Sequence, residues 1–191
     1  DAVNKGITMA TSEIVGYLDA DDVYELNTLR MVYGHFARYQ KVMWLYGKGK
    51  IIDRDGKECR RFLTMFKEIF QKRYSYNALL CVDFICQPTA FWRKSLVDEI
   101  GGFPIDEKLA FEYDFWMRAG AKYRPYFINN YLACWRAHPK SETAKAVYRD
   151  MHDALRLSGK YTKGKPLVRL IQHLVYVAAV CMYLMVGVLK R

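Results

Sequence analysis

Apolar positions along this chain alternate between short unbroken runs and longer stretches with helical spacing. Ile14-Val15-Gly16-Tyr17-Leu18 is short, β-branched and aromatic, and predicts a buried strand. From Glu25 to Tyr39, Leu26, Leu29, Val32, Tyr33 and Phe36 recur on one face, which predicts an amphipathic helix. Val42-Met43-Trp44-Leu45-Tyr46-Gly47 predicts a second strand. Lys50 to Asp53 and Cys59 to Phe62 flank Asp55-Gly56, a hairpin signal. Met65 to Arg73 predicts a weak helix, and Tyr74 to Leu80 a mobile loop near the site. Ser95 to Ile100 reads as a short helix stopped by Gly101-Gly102. Phe111 to Ala121 reads as another helix, weakened near its end by Gly120. Tyr126-Phe127-Ile128 and Tyr131 to Trp135 predict strands about a turn at Asn129-Asn130. Ser141 suits a helix cap ahead of a face made by Val147, Met151, Ala154 and Leu155. The mixture is α/β, with no internal repeat.

The last segment has another pattern. Ser158 to Pro166 holds Gly159, Gly164 and three lysines and reads as a basic linker. Leu170 to Leu189 then carries no formal charge over 20 residues, of which the 16 after His173 are apolar throughout. At ~1.5 Å rise per residue that stretch approaches the length of a membrane span. Charge sharpens the contrast: of a net +10, the last 38 residues hold +7 and no acid. A basic segment flanking an apolar helix argues for anionic lipid over nucleic acid. The helix is expected to attach to a membrane, spanning it or lying in the interface; a helix docked on the protein core is the alternative.

Composition bounds the rest. With 191 residues and 52% hydrophobic positions, the chain can bury a core and fits one domain plus an appendage. Five cysteines, an odd and scattered set without a Cys-x-x-Cys pair, imply neither a disulfide framework nor a zinc site. Buried thiols in a reducing, cytoplasmic compartment fit that set.

The candidate chemistry lies where the first strand ends. Asp19-Ala20-Asp21-Asp22 crowds three carboxylates at its carboxyl end, where they repel unless a cation neutralises them. Open α/β sheets bind ligands at that end of their strands. A divalent metal holding a diphosphate satisfies both conditions; a plain turn with a helix cap is the competing account.

Further residues carry a resemblance. Asp1-Ala2-Val3-Asn4-Lys5-Gly6-Ile7, Ala10 to Glu13 and the acidic turn resemble the nucleotide-sugar site of family 2 glycosyltransferases. Phe84 to Arg93 looks like the acceptor-side strand of that family. Gly101-Gly102-Phe103 and Phe111-Glu112-Tyr113-Asp114-Phe115-Trp116-Met117-Arg118 look like its catalytic acidic helix. Arg136-Ala137-His138, with Ser141 and Thr143, looks like its closing Arg-x-His segment. The resemblance implies a GT-A-type, Rossmann-like mixed sheet flanked by helices and lacking its first strand–helix units, plus a carboxyl-terminal apolar helix. The expected division is a partial catalytic domain over 1–157, a linker over 158–166 and a membrane-associated helix over 167–191.

The resemblance also distributes roles. Asp21 and Asp22 are expected at a divalent metal, Mg²⁺ or Mn²⁺ by the hardness of their oxygens, with His138 completing its shell. Asn4, Gly6, Asp19 and Arg136 are expected at the donor, Asn4 and Gly6 through a tight turn near the nucleotide. Gln87 and Trp92 are candidates for acceptor contact. Glu112 stands where the family has its general base, commonly an Asp; Asp114 is the alternative, otherwise near the helix start and paired with Arg118. The activity so implied is inverting transfer of a sugar from a nucleoside diphosphate to a polysaccharide or lipid-linked acceptor. The protein would lie on the cytoplasmic face of a membrane, in cell-surface glycan synthesis, and this chain alone would be inactive. A truncated membrane-binding fragment without catalysis is the rival reading. A metal-dependent phosphoesterase is a further one, though such sites usually hold more His ligands than four residues supply.

Overall fold

The computed structural model describes residues 1–107, 109–138 and 146–188. Its strands are β1 (Ile14–Val15), β2 (Val23–Tyr24), β3 (Trp44–Ile52), β4 (Phe91–Arg93) and β5 (Tyr126–Arg136). Its helices are α1 (Ala2–Met9), α2 (Thr28–Arg38), α3 (Arg61–Lys72), α4 (Tyr76–Cys81), α5 (Lys94–Ile100), α6 (Phe111–Lys122), α7 (Val147–Gly159) and α8 (Pro166–Val188). The strands form one mixed sheet in the order β1-β4-β3-β5-β2. Only β3 and β5 run parallel to each other as neighbours; the other pairs are antiparallel.

Strand alternation builds two layers of core from the same sequence. Trp44 and Tyr46 of β3 point to one face, beneath α4 and α6, and Leu45 between them points to the other, beneath α2. On the first face Trp44 stacks on Trp116 with centroids 5.9 Å apart and planes 4° from parallel. On the second, Leu45, Phe91, Ile128 and Leu132 meet Val32 and Phe36; Leu26, Leu29 and Tyr33, expected on the same face, stand exposed, with Leu26 ahead of the helix start.

Several expected elements change. The Asp55-Gly56 turn exists, but only a bridge between Ile52 and Glu58 comes after it, because α3 begins at Arg61 where the second strand was expected. Where a mobile loop over 74–80 was expected, α4 forms over 76–81, capped by Ser75, with Leu79 and Leu80 fully buried. Asn129-Asn130 does not turn the chain back. It is the irregularity in a single strand, β5, where Ile128 pairs with Gly47 and Tyr131 with Lys48. The 158–166 segment is a packed turn, with Ser158 and Thr162 buried and the Tyr161 hydroxyl on Asp114 at 3.1 Å. Ser141 and Thr143 lie outside the described residues.

α8 docks by its first half. Gln172, 3% exposed, donates to the Leu80 carbonyl at 3.1 Å and bonds the Ser158 hydroxyl. Val168 packs against the main core. Among the described residues no helix is long and apolar enough to cross a membrane.

Candidate active site

Ladder register explains why residues far apart in sequence meet at the acidic turn. β1 runs out at Val15, and the chain turns at Asp19–Asp22, with the Asp22 N–H donating to the Asp19 carbonyl at 3.1 Å. β2 then pairs with β5, Val23 opposite Cys134, which brings Arg136 alongside the turn. The Arg136 N–H donates to Asp22 Oδ1 at 2.8 Å. Its guanidinium donates to the carbonyls of Asp21 at 2.8 Å, Asp53 at 2.7 Å and Arg54 at 3.1 Å. Arg136 therefore clasps the turn to the end of β3 through its Nε and Nη1 groups. His138 comes next, its Nε2 2.7 Å from Asp21 Oδ2.

The carboxylates are not equivalent. Asp22 is buried and its Oδ2 has no hydrogen-bond partner among the described residues. Burial, and then the charges of Asp21 and Asp19, push its pKa up to about 6 against the Arg136 bond that lowers it. Asp19 stands exposed at the turn, and desolvation by the surrounding protein and then the charge of Asp21 raise its pKa. Asp21, Asp22 and His138, expected together, are brought together. No cluster of three acidic, His or Cys side chains able to hold an ion by itself is present among the described residues. The unpartnered Asp22 oxygen nonetheless fits an ion of the Mg²⁺ type, which takes one or two carboxylates and completes its shell from water and substrate phosphates.

A second group faces the turn from α6. Ala110, at φ 54, bends the chain into this helix and places Glu112 in its first turn. Tyr17, just past β1, donates its hydroxyl to Glu112 Oε1 at 2.8 Å. Burial raises the Glu112 pKa to about 7; the Tyr17 bond opposes that shift, while Asp83 and Asp19 add to it. Asp114 is otherwise engaged. It accepts from Arg118 Nε at 2.8 Å, and Arg118 continues to the carbonyls of Ile100, Gly101 and Gly102. Asp114 thus fixes the loop before the helix and makes the i,i+4 pair expected of it, one turn in from the cap.

Other expected residues have structural posts. Gln87 donates to the Tyr17 carbonyl at 2.8 Å and holds the 83–87 loop against the end of β1. Trp92 is 1% exposed, ringed by Phe115, Phe103, Trp116 and Tyr17 at centroid distances of 5.2, 5.8, 5.9 and 6.5 Å. No ring face is left for a sugar, so packing is what Trp92 provides. Asn4 and Gly6 lie within α1 rather than in a tight turn. Asn4 donates to the Phe103 carbonyl at 2.7 Å and accepts from the Phe103 N–H at 2.8 Å, pinning α1 to the loop before α6. Gly6 has open space around it, so no close approach within the chain demands its missing side chain.

Sequence reasoning missed Tyr17 and Asp83. Asp83 Oδ1 is buried and has no hydrogen-bond partner among the described residues, and burial lifts the Asp83 pKa to about 6, with Lys67 opposing and Asp150 adding. A tyrosine closing an apolar run beside acidic residues is the one signal that could have singled out Tyr17.

The model for glycosyl transferase family 2 matches residues 1–101, more than half the chain, and the chain belongs to that family. The match takes in α1, the acidic turn and Gln87; Glu112, Arg136 and His138 lie beyond it. Among solved structures the chain is similar to S. aureus TarS 1–349, at 18% identity and a TM-score of 0.50, over 81% of this chain and 43% of that one. It is also similar to a structure of S. aureus TarS at 16% identity and a TM-score of 0.49, over 80% of this chain and 26% of that one. The chain thus spans less than half the length of either. The likeness bears on the fold alone. Comparison with curated protein sequences gives no match.

Proposed function

We propose that this site moves a sugar from a nucleoside diphosphate to a hydroxyl of a polysaccharide or lipid-linked acceptor, with inversion at the anomeric carbon. The reading includes a cytoplasmic-face membrane location and a role in cell-surface glycan synthesis. The observation that carries it is Glu112: a carboxyl with a pKa of about 7, oriented by Tyr17 and facing the Asp19–Asp22 turn. A general base works best when its pKa lies near the working pH. Glu112 takes the proton from the acceptor hydroxyl as that oxygen bonds to the anomeric carbon. The bond from that carbon to the diphosphate oxygen breaks, and its electron pair leaves with the diphosphate. Attack from the face opposite the leaving group inverts the centre.

Asp21 and Asp22, with His138 alongside, would hold a Mg²⁺ or Mn²⁺ ion, which when bound neutralises the charge gathering on the departing diphosphate. Arg136 and Gln87 act as positioning residues, one holding the acidic turn and the other the Tyr17 backbone. Membrane attachment is supported by the outward row Leu167, Leu170, Ile171, Leu174 and Val177 on α8, preceded by Lys160, Lys163 and Lys165.

The test measures transfer from radiolabelled nucleotide sugars to membrane-derived acceptors by the intact protein. Glu112→Gln should lower turnover by roughly two to four decades with donor affinity unchanged. Asp21→Asn should abolish metal-dependent transfer in a protein that still folds. If Asp114→Asn does more damage to turnover than Glu112→Gln at unchanged donor affinity, Asp114 is the base. Full activity of both Glu112→Gln and Asp21→Asn overturns the reading.

A further inference from the structure

Helix α3 is turned the wrong way for a helix of a globular domain. Its inward side is mainly polar, with Thr64, Lys67, Glu68 and Gln71, joined by Phe70, which packs on the main core. Its outward row is apolar, with Phe62, Met65, Phe66 and Ile69 exposed by 58, 60, 47 and 66%. The spacing i, i+3, i+4, i+7 makes these four one continuous stripe, which a soluble helix ordinarily buries. The orientation is not slack. Gln71 Nε2 donates to the Phe84 carbonyl at 2.8 Å, and the Tyr46 hydroxyl donates to the Gln71 carbonyl at 2.9 Å. Glu68 accepts from the Tyr131 hydroxyl at 2.6 Å and pairs with Lys48 at 3.5 Å. Rolling the helix to hide the stripe would break all of these and bury charge.

The rim of the stripe identifies its partner. Lys57, Arg60 and Arg61 stand exposed at its start, and Lys72 and Arg73 at its end. Between Lys57 and Arg73 those five exposed cations face two acids, Glu58, exposed beside Lys57, and Glu68, which is engaged inward. Outward, the helix therefore offers apolar groups collared by cations at both ends. Because both ends are cationic, a second copy packed on the stripe in either direction would set like charges against each other. An anionic lipid surface fits both parts, with acyl chains for the stripe and headgroup phosphates for the collar.

We infer that α3 is a lipid-docking helix that lies in the interface of an anionic membrane and acts separately from α8. It stands next to the chemistry. Phe70 of α3 stacks on Phe84, beside Asp83, and Lys67 faces Asp83 and Asp150. A lipid-linked acceptor held at that interface would lie on the side of the protein that carries Asp83, whose charge acts on Glu112, and to that extent the inference rests on the membrane reading above.

The experiment is co-sedimentation of the full chain with vesicles of phosphatidylglycerol or of phosphatidylcholine. It compares wild type with Phe66→Gln/Ile69→Gln and Arg60→Gln/Arg61→Gln on α3, and with Leu170→Gln/Leu174→Gln on α8. All six positions are exposed, so circular dichroism should be unchanged. Each α3 variant should lower partitioning onto phosphatidylglycerol by about tenfold, and wild type should prefer it to phosphatidylcholine. The α8 variant should keep part of the binding. If the α3 variants bind as wild type while the α8 variant is released, α3 is not the docking helix, though the membrane reading stands. If wild type binds neither vesicle, both readings fall. If wild type self-associates and the α3 variants lose that association without any loss of vesicle binding, the stripe belongs to a second copy and the inference is overturned.

Discussion

The hydrogen bond from Tyr17 to Glu112 makes the proposed acid–base role testable one atom at a time. With Glu112 at about 7 and acting as the proposed base, the rate should climb with pH through that value as the carboxyl loses its proton. The Tyr17 hydroxyl favours the ionised carboxyl, so Tyr17→Phe should move the midpoint to higher pH and leave most of the rate above it intact. A profile that stays put would show that the bond does not bear on the base. Stability runs the other way. The carboxyl titrates near 4.5 when solvated and near 7 when folded, so the folded state binds the proton more tightly. The penalty for ionising it is absent below 4.5 and complete above 7, at most roughly 3 kcal/mol. Denaturant titrations should show Glu112→Gln gaining on wild type between those limits; a gap that does not move would mean the carboxyl is solvated. The sequence singled out Asp21, Asp22 and Glu112 by motif spacing, and the structure places the first two in one turn and the third against Tyr17. Tyr17 and Trp92 were harder, since an aromatic residue in a strand looks the same whether its ring fills the core or its hydroxyl reaches a carboxylate.

Elements were legible where one face had to be buried and obscure where tertiary packing decided. α2 and β3 follow from the spacing of Val32 and Phe36 and from the run Trp44, Leu45 and Tyr46, all buried, although Leu26, Leu29 and Tyr33 of the expected α2 face are exposed. The lost hairpin traces to Arg60, at φ 50, which turns the chain into α3 before a second strand can pair. No residue pattern marks such a turn when the residue is not glycine. The β5 irregularity is similar: Asn129-Asn130 carries a turn signal, but the parallel partner β3 on one side and β2 on the other hold the strand extended. Gly47 lies at that irregularity, and an added Cβ would stand 2.4 Å from Leu132 Cγ and 3.0 Å from the Asn130 carbonyl. Gly47→Ala should therefore cost about 1–3 kcal/mol in equilibrium unfolding, the usual range for overpacking. Leu132→Ala removes the nearer clash, so the double variant should be less destabilised than the two single changes together. Strict additivity would show that the backbone, not Leu132, resists the methyl group.

For the whole molecule, the open question in the sequence was what the basic, apolar end does, and the structure divides the answer along α8. Its inward positions belong to the domain: Gln172 joins α4 to the end of α7, and the Cys81 thiol reaches the Val168 carbonyl at 3.6 Å. Its outward positions, from Leu167 to Val177, have no partner among the described residues. Deleting everything after Lys165 would therefore confuse two effects, because it uncovers Leu80 and Ser158 while removing the apolar row. Substituting only the outward row separates them. Leu170→Gln/Leu174→Gln should leave the unfolding midpoint nearly unchanged and move the protein from the membrane pellet toward the soluble fraction. Gln172→Leu should do the opposite, destabilising the domain by about 1–3 kcal/mol through the stranded Leu80 carbonyl while leaving the protein on the membrane. With basic residues worth about 1 kcal/mol each at an anionic leaflet, a helix lying in the interface should also be released by high salt. Salt-resistant pelleting that withstands the outward substitutions as well would mean that α8 does not carry the attachment, and would leave its apolar row to a protein neighbour.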